Sequence, residues 1–176
     1  MRSLADAQAV GGLVEGLADQ VAAAMRVDGP WAIVGVRRRG DVLAQRLAGR
    51  LHPAHTGSVD IALYRDDLSE LGPQPIVRTT EIDFDVDGAS IVLVDDVLMS
   101  GRSVRAAIQS LLDFGRPRAI RLAVLVDRGG RELPICPDHV GLAVNADASQ
   151  HVRVRLEPMD EADGIVLLDK AEGAGE

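Results

Sequence analysis

The sequence predicts an α/β domain in which a mostly parallel central sheet is flanked by helices. Three observations lead there. Apolar runs recur at "WAIVGV" (31–36), "SIVLV" (90–94) and "IRLAVLV" (120–126), as expected of strands buried on both faces. Segments with helical spacing alternate with them, and buried strands alternating with helices fold as right-handed βαβ units. The chain has 176 residues with no repeat or dividing linker, so a single domain spanning 1–176 is expected.

Taken in order, residues 4–25 place Val10, Leu13, Val14, Leu17 and Val21 at helical spacing and read as an amphipathic helix packed on the core. Gly29-Pro30 then breaks the chain before the strand 31–36. "DVLAQRLAGRL" (41–51) reads as a helix with Asp41 as its cap. "VDIALY" (59–64) alternates like a strand, and residues 65–80, with Gly72, Pro73 and Pro75, form a long polar loop. The strand 90–94 leads through an acid pair to a helix over 104–114 ended by Gly115. After the strand 120–126, short strands follow at 140–144, 152–156 and 165–168.

Hydrophobic residues make up 47% of the chain, but no apolar run approaches the length of a bilayer span. The first residues lack the apolar core of a secretion signal, so a cytoplasmic protein is expected. One cysteine, Cys136, cannot make an internal disulfide and is expected to be a small buried hydrophobe. Aromatics are 2%, too few for base-stacking platforms. The net charge of −8 is concentrated in residues 157–176, where seven acids meet one base. That segment reads as a solvated acidic C-terminus. The 18 bases of the remainder are all arginine, the side chain best shaped to grip phosphate.

The stretch "IVLVDDVLMSGRSVRAA" (91–107) carries the chemistry. Asp95 and Asp96 end a buried strand, where ligands of open α/β sheets bind. Met99, Ser100, Gly101, Arg102 and Ser103 lead into a helix whose first amides form an anion site. Gly101 admits close backbone approach, Ser100 and Ser103 add hydroxyls, and Arg102 adds charge. The carboxylates suit a sugar's vicinal hydroxyls or a magnesium ion. A ribose 5-phosphate site fits these residues. A tight turn capped by its own acids fits them too, and the residues alone leave both readings open.

"VLVDDVLMSGRS" resembles the phosphoribosyl-pyrophosphate (PRPP) signature of the type I phosphoribosyltransferases, and most closely that of the PyrR-type uracil phosphoribosyltransferases. Some of these also regulate pyrimidine operons by binding messenger RNA. "VGVRRRGDVLAQRLA" resembles the family's pyrophosphate loop, "VDIALYRDDL" the strand entering its flexible loop, and "RLAVLVDRGGRELPI" the segment flanking its base pocket. The resemblance covers residues 31–138 and implies the type I fold with a small hood, formed by the N-terminal helical region and the C-terminal strands.

It further implies a magnesium-dependent pyrimidine-salvage enzyme making UMP from uracil and PRPP. Asp95 and Asp96 would hold the ribose hydroxyls and help place Mg²⁺, and residues 99–103 the 5-phosphate. Arg38, Arg39 and Gly40 would contact pyrophosphate. Tyr64, Arg65, Asp66, Asp67 and Arg78 would belong to a closing lid, and Val126, Asp127 and Arg128 would lie near the base. Purine-specific relatives carry an aspartate where Met99 stands. Methionine does no proton chemistry, so a pyrimidine is the expected base. The resemblance also implies a homodimer or larger homo-oligomer.

The sequence departs from the family at three places. Arg38 stands for the usual threonine, Leu142 for a lysine, and "EGLADQV" (15–21) for a more basic helix face. RNA affinity depends on neutralising phosphates, so Glu15, Asp19 and Leu142 all disfavour it. The alternative function is a UMP- or PRPP-sensing regulator, an RNA-binding attenuator with weak catalysis. His52 and His55 have an H-x-x-H spacing but no carboxylate-rich helix around them, so zinc is not expected there.

Overall fold

The computed structural model describes residues 1–25, 30–62 and 80–169. In chain order its elements are β1 (Arg2–Ala5), α1 (Ala7–Ala24), β2 (Trp31–Val36), α2 (Gly40–Leu51), β3 (His55–Val59), β4 (Ser90–Leu98), α3 (Arg102–Leu112), β5 (Ala119–Asp127), β6 (His139–Ala143), β7 (Gln150–Arg155) and β8 (Gly164–Asp169). Five strands form one parallel sheet in the order β3-β2-β4-β5-β6. Three more form a small antiparallel sheet, β1-β8-β7. The parallel α/β expectation holds.

Alternation along the strands explains the layering. Ile33, Val92, Val94, Ala123 and Leu125 face one side, packed with Val10, Leu17 and Val21 of α1, Leu43 and Leu47 of α2, and Val154, Leu156 and Ile165 of the small sheet. Ala32, Val34, Ile91, Leu93, Leu122 and Val124 face the other, against Val104, Ala107 and Leu111 of α3. Period-2 strands buried on both faces need both layers apolar, which is why the runs read as continuous.

The chain runs from β2 outward to β3, returns to β4, then proceeds the other way to β5. The order reverses between β2 and β4, which places a crevice at their carboxyl ends. Two glycines let α2 start directly above it. A Cβ on Gly35 would lie 2.4 Å from the Asp41 Cα, and one on Gly40 would lie 2.6 Å from the Val94 carbonyl oxygen.

Several elements differ from the sequence reading. Residues 2–5 are a strand, and the first helix begins only at Ala7, because the Asp6 side chain accepts from the Ala9 amide and caps it there. The hood therefore takes its N-terminal contribution from a strand. Asp41 does not cap α2. Arg39 occupies the cap position with φ 64°, and Asp41 accepts from the Val42 amide. Of the strand expected at 59–64, residues 60–62 are not strand and 63–64 lie outside the described residues, while 55–59 form the strand beside β2. "HTGSV" is too polar to announce itself, since an edge strand buries little. The third helix starts at Arg102, two residues early, because Gly101 at φ 90° turns the chain into it. Cys136 is exposed.

The contacts around the glycines predict opposite outcomes for two substitutions. Gly35→Ala should cost at least about 2 kcal/mol in urea unfolding, because the methyl meets backbone that cannot yield. Gly49→Ala, in an open position within α2, should stabilise by roughly 0.5–1 kcal/mol.

Candidate active site

The crevice brings together the acid pair, the loop of arginines after β2, and the start of α3. β4 runs on through the acids to Leu98, with Asp95 paired opposite Val124 and Val97 opposite Val126. The carboxylates are thus held by strand register. Asp95 is buried at 5% exposure and accepts from the Asp96 amide at 2.9 Å. Asp96 is half-buried and accepts from the Val97 amide at 2.9 Å. Burial, and after it the charge of Asp96, pushes the Asp95 carboxyl well above the usual carboxylate range. Burial also raises Asp96, while the Val97 amide and the charge of Arg39 pull it back.

Beyond Leu98 the chain forms a small cradle. Ser100 Oγ accepts from the Arg102 amide, and the Arg105 amide reaches back to the Gly101 carbonyl. The earlier amides, of Gly101, Ser103 and Val104, have no partner within the helix. They sit at the positive end of α3, the arrangement that binds a phosphate. The segment after β5 braces this cradle from behind. Glu132 and Leu133 donate their amides to the Ser100 carbonyl. Arg131 donates to the Met99 carbonyl at 3.0 Å and pairs with Asp127 at 2.7 Å. Met99 is exposed at the mouth. Arg102 does not turn its charge inward along Nε, which donates to Glu132 at 2.8 Å.

The three arginines after β2 diverge. Arg37 turns inward to Ser58, Glu81 and Asp41. Arg38, joined to Arg37 by a cis peptide, is exposed. Arg39 is half-buried and forms a bidentate pair with Asp160, both contacts at 3.0 Å. That pair, with Asp96 farther off, raises the Arg39 pKa. Gly40 touches the Val94 carbonyl and approaches Asp95 Oδ1, so α2 begins against the acid pair.

Val126 contributes its side chain to the core, and Asp127 holds the Gly129 amide as well as Arg131. The Arg128 side chain is buried and donates to the carbonyls of Asp147 and Gln150, tying down the turn before β7. Tyr64, Arg65, Asp66, Asp67 and Arg78 lie outside the described residues. A polar cleft of about 530 Å³ near Arg37, Asp41, Ser58 and Glu81 opens on the β3 edge and includes none of the candidate residues. His52 ends α2 and His55 stacks on Phe84, and no metal-binding group of His, Cys, Asp or Glu occurs among the described residues.

Sequence reasoning missed Asp160 and Asp163. Both belong to the segment read as a solvated tail, yet Asp160 grips Arg39, and Asp163 grips Arg46 with a contact at 2.8 Å. Each is mostly shielded from solvent, and its partner holds its carboxyl below the usual range. The acidic composition hid two fixed positions. Nothing local in the sequence marks these pairings, which join residues more than 115 positions apart.

The switch-point crevice sets paired carboxylates on one side and unpaired helix amides on the other, a donor and acceptor set with the chemistry to hold a phosphorylated sugar. The family model of the phosphoribosyl transferase domain matches residues 2–158. Proteins called bifunctional protein PyrR are similar over most of their length. That of Pelotomaculum thermopropionicum is 50% identical over 149 residues, 82% of each chain. That of Thermus thermophilus is 51% identical over 150 residues, 81% of each, and that of Elusimicrobium minutum 41% over 170, covering 94% of this chain and 95% of its own. The chain belongs to the phosphoribosyl transferase family, among its PyrR proteins.

Solved structures share the type I fold. Hypoxanthine phosphoribosyltransferase from Trypanosoma cruzi superposes with a TM-score of 0.74 at 18% identity, covering 98% of this chain and 97% of its own. No helix among the described residues is long and apolar enough to cross a membrane.

The burial of Asp95 has a measurable consequence. The folded state holds its proton more tightly than the unfolded chain does. Stability is therefore lost as pH rises from the ordinary aspartate range through the elevated one. Asp95→Asn keeps an acceptor for the Asp96 amide and removes the buried charge. It should raise the thermal midpoint at neutral pH by about 3 °C, and the gain should shrink toward zero as pH falls below about 4.

Proposed function

We propose that this protein is a uracil phosphoribosyltransferase that converts uracil and PRPP to UMP and pyrophosphate. The observation that carries the reading is the Asp95–Asp96 pair in the C-terminal half of β4, Asp95 buried and Asp96 half-buried, a short way before the amide cradle of α3. The PyrR names of relatives near 50% identity support the substrate class. Met99 supports a pyrimidine, because it offers no proton acceptor at the site mouth.

In this reading the cradle of residues 99–103 takes the 5-phosphate, chiefly through backbone amides, and fixes one end of the sugar. Asp95 and Asp96 accept hydrogen bonds from the ribose hydroxyls and set the other end. The anomeric carbon then faces the crevice, between Met99 and the loop of Arg38, Arg39 and Gly40. A ring nitrogen of uracil attacks that carbon as the bond to pyrophosphate breaks, and the proton of that nitrogen passes to the departing pyrophosphate or to water. Catalysis is positioning together with charge balance. The carboxylates stabilise a sugar that becomes cationic, and the arginines stabilise the departing anion. A lid built from residues 64–80 would exclude water, which competes for the same carbon.

No group of three metal-ligating side chains occurs among the described residues, and two carboxylates fit a magnesium ion that would rely on substrate and water for its other oxygens. Asp95 and Asp96 would hold it, and it would supply positive charge to balance the pyrophosphate. Arg38 is exposed in the loop after β2, which supports an added anion contact there.

RNA binding is the second activity to weigh. On α1, Glu15 and Asp19 are exposed and pair loosely with Arg50 at 3.7 and 3.6 Å. A face carrying two acids to one base repels a phosphate backbone, so this protein acts as an enzyme with RNA attenuation weak or lost. A homodimer or larger assembly accompanies the proposal, and light scattering tests it.

Uracil-dependent release of pyrophosphate from PRPP should be seen with magnesium, and Asp96→Asn should lower kcat/KM by at least about 100-fold. PRPP or UMP binding without turnover in the unaltered protein would instead make it a sensor. Filter binding to a structured pyrimidine-operon leader should show only weak retention at 0.15 M salt. Tight retention that drops steeply with salt would restore the regulatory reading.

A further inference from the structure

The segment between β7 and β8 is built to hold arginines of α2. Asp160 takes an amide hydrogen bond from Leu156 at 2.9 Å, and Asp163 takes one from Glu157 at 2.8 Å. Both carboxylates are thus oriented by their own backbone before any arginine arrives. Asp160 receives Arg39 Nε and Nη2, and Asp163 receives Arg46 Nη1 and Nη2. Arg46 also donates to the Glu157 carbonyl.

Both pairs are bidentate, Arg39 side-on through Nε and Nη2 and Arg46 end-on through its two Nη groups, and they differ in location. Arg46 lies two turns into α2, away from the crevice. Arg39 occupies the cap position immediately before Gly40, whose backbone touches the end of β4. A non-glycine residue at φ 64° is unfavourable by itself, and the bidentate pair fixes both the backbone and the direction of the side chain. A guanidinium has five N–H donors, and the pair uses two. The Nη1 edge remains for a ligand in the crevice.

We propose that Asp160, in the hood, is a positioning residue for Arg39, holding its guanidinium so that the unengaged edge meets the pyrophosphate group. This rests on the reading of the crevice as a PRPP site. The consequence is specific: the hood acts on the pyrophosphate half of the substrate and leaves the nucleotide half alone. Asp163 is the internal comparison, since it ties the same segment to the same helix without reaching the site.

The test uses the full-length protein with magnesium and measures equilibrium binding of pyrophosphate, PRPP and UMP by calorimetry, with kcat and KM for PRPP and uracil. Asp160→Asn keeps an acceptor for the Leu156 amide and removes the charge and one of the two contacts to Arg39. It should weaken pyrophosphate and PRPP binding roughly tenfold, and leave UMP binding and the KM for uracil within about twofold. In an Arg39→Ala background the same substitution should have no further effect on pyrophosphate. Asp163→Asn should lower the thermal midpoint to a similar degree and leave all the binding constants alone.

A uniform weakening of pyrophosphate and UMP in Asp160→Asn, or the same profile from Asp163→Asn, would show a merely structural strap and overturn the proposal. So would unchanged pyrophosphate binding in Asp160→Asn. If the unaltered protein bound neither PRPP nor pyrophosphate, the PRPP reading itself would fall, and this inference with it.

Discussion

The contact on which the site depends is the approach of the α2 N-terminus to the end of β4. Gly40 has no side chain to keep the two apart, and its backbone rests against the Val94 carbonyl and beside the Asp95 carboxylate. Gly35 gives the same clearance on β2. Because β2 and β4 are neighbours in the sheet and their connections leave in opposite directions, this one close approach sets the loop of arginines over the acid pair. Any side chain at either glycine would have to displace backbone, so helix, sheet and crevice form a single rigid arrangement. The segment between β7 and β8 then closes one side by pairing Asp160 with Arg39 before α2 and Asp163 with Arg46 on it.

The electrostatics of the crevice are costly. Burial raises the proton affinity of both adjacent carboxylates, the charge of Asp96 raises that of Asp95 further, and among the described residues Arg39 is the counter-charge that draws Asp96 back. Buried, perturbed carboxylates of this kind are more often found at functional sites than in an ordinary core. Strained or charged positions of this kind gather at sites of action. Here the positive φ of Arg39, the positive φ of Gly101 and the buried acids all fall around one crevice.

Much of the fold was legible because burial on both faces leaves an unmistakable apolar run, as at β2, β4 and β5. The elements that escaped were those whose burial is partial. β3 is an edge strand with the composition of a turn, and β1 is four residues long with only Ala5 buried. Helix ends were misplaced where a cap residue was misjudged: Asp6 rather than Leu4 starts α1, and Arg39 rather than Asp41 precedes α2. The acid pair and the loop 99–103 were found because their chemistry is contiguous in the chain. Arg39 was found too, but its partner lies 121 residues away, and no local pattern reports a contact at that distance.

By itself, then, the amino-acid order determined the alternation of buried strands and helices, the placing of two carboxylates at a strand end, and the small-residue turn into a helix that follows them. These are local properties, fixed by side-chain period, backbone freedom at glycine and the unpaired amides of a helix start. Only the tertiary structure decided how the three arginines after β2 diverge, that Arg102 Nε turns to Glu132 and Arg128 to the turn before β7, and that two acids of an apparently solvated tail clamp Arg39 and Arg46. Those outcomes depend on which surfaces the sheet order brings together. Composition cannot distinguish a charge facing water from one facing a distant partner, because the two differ only in what the rest of the chain places opposite.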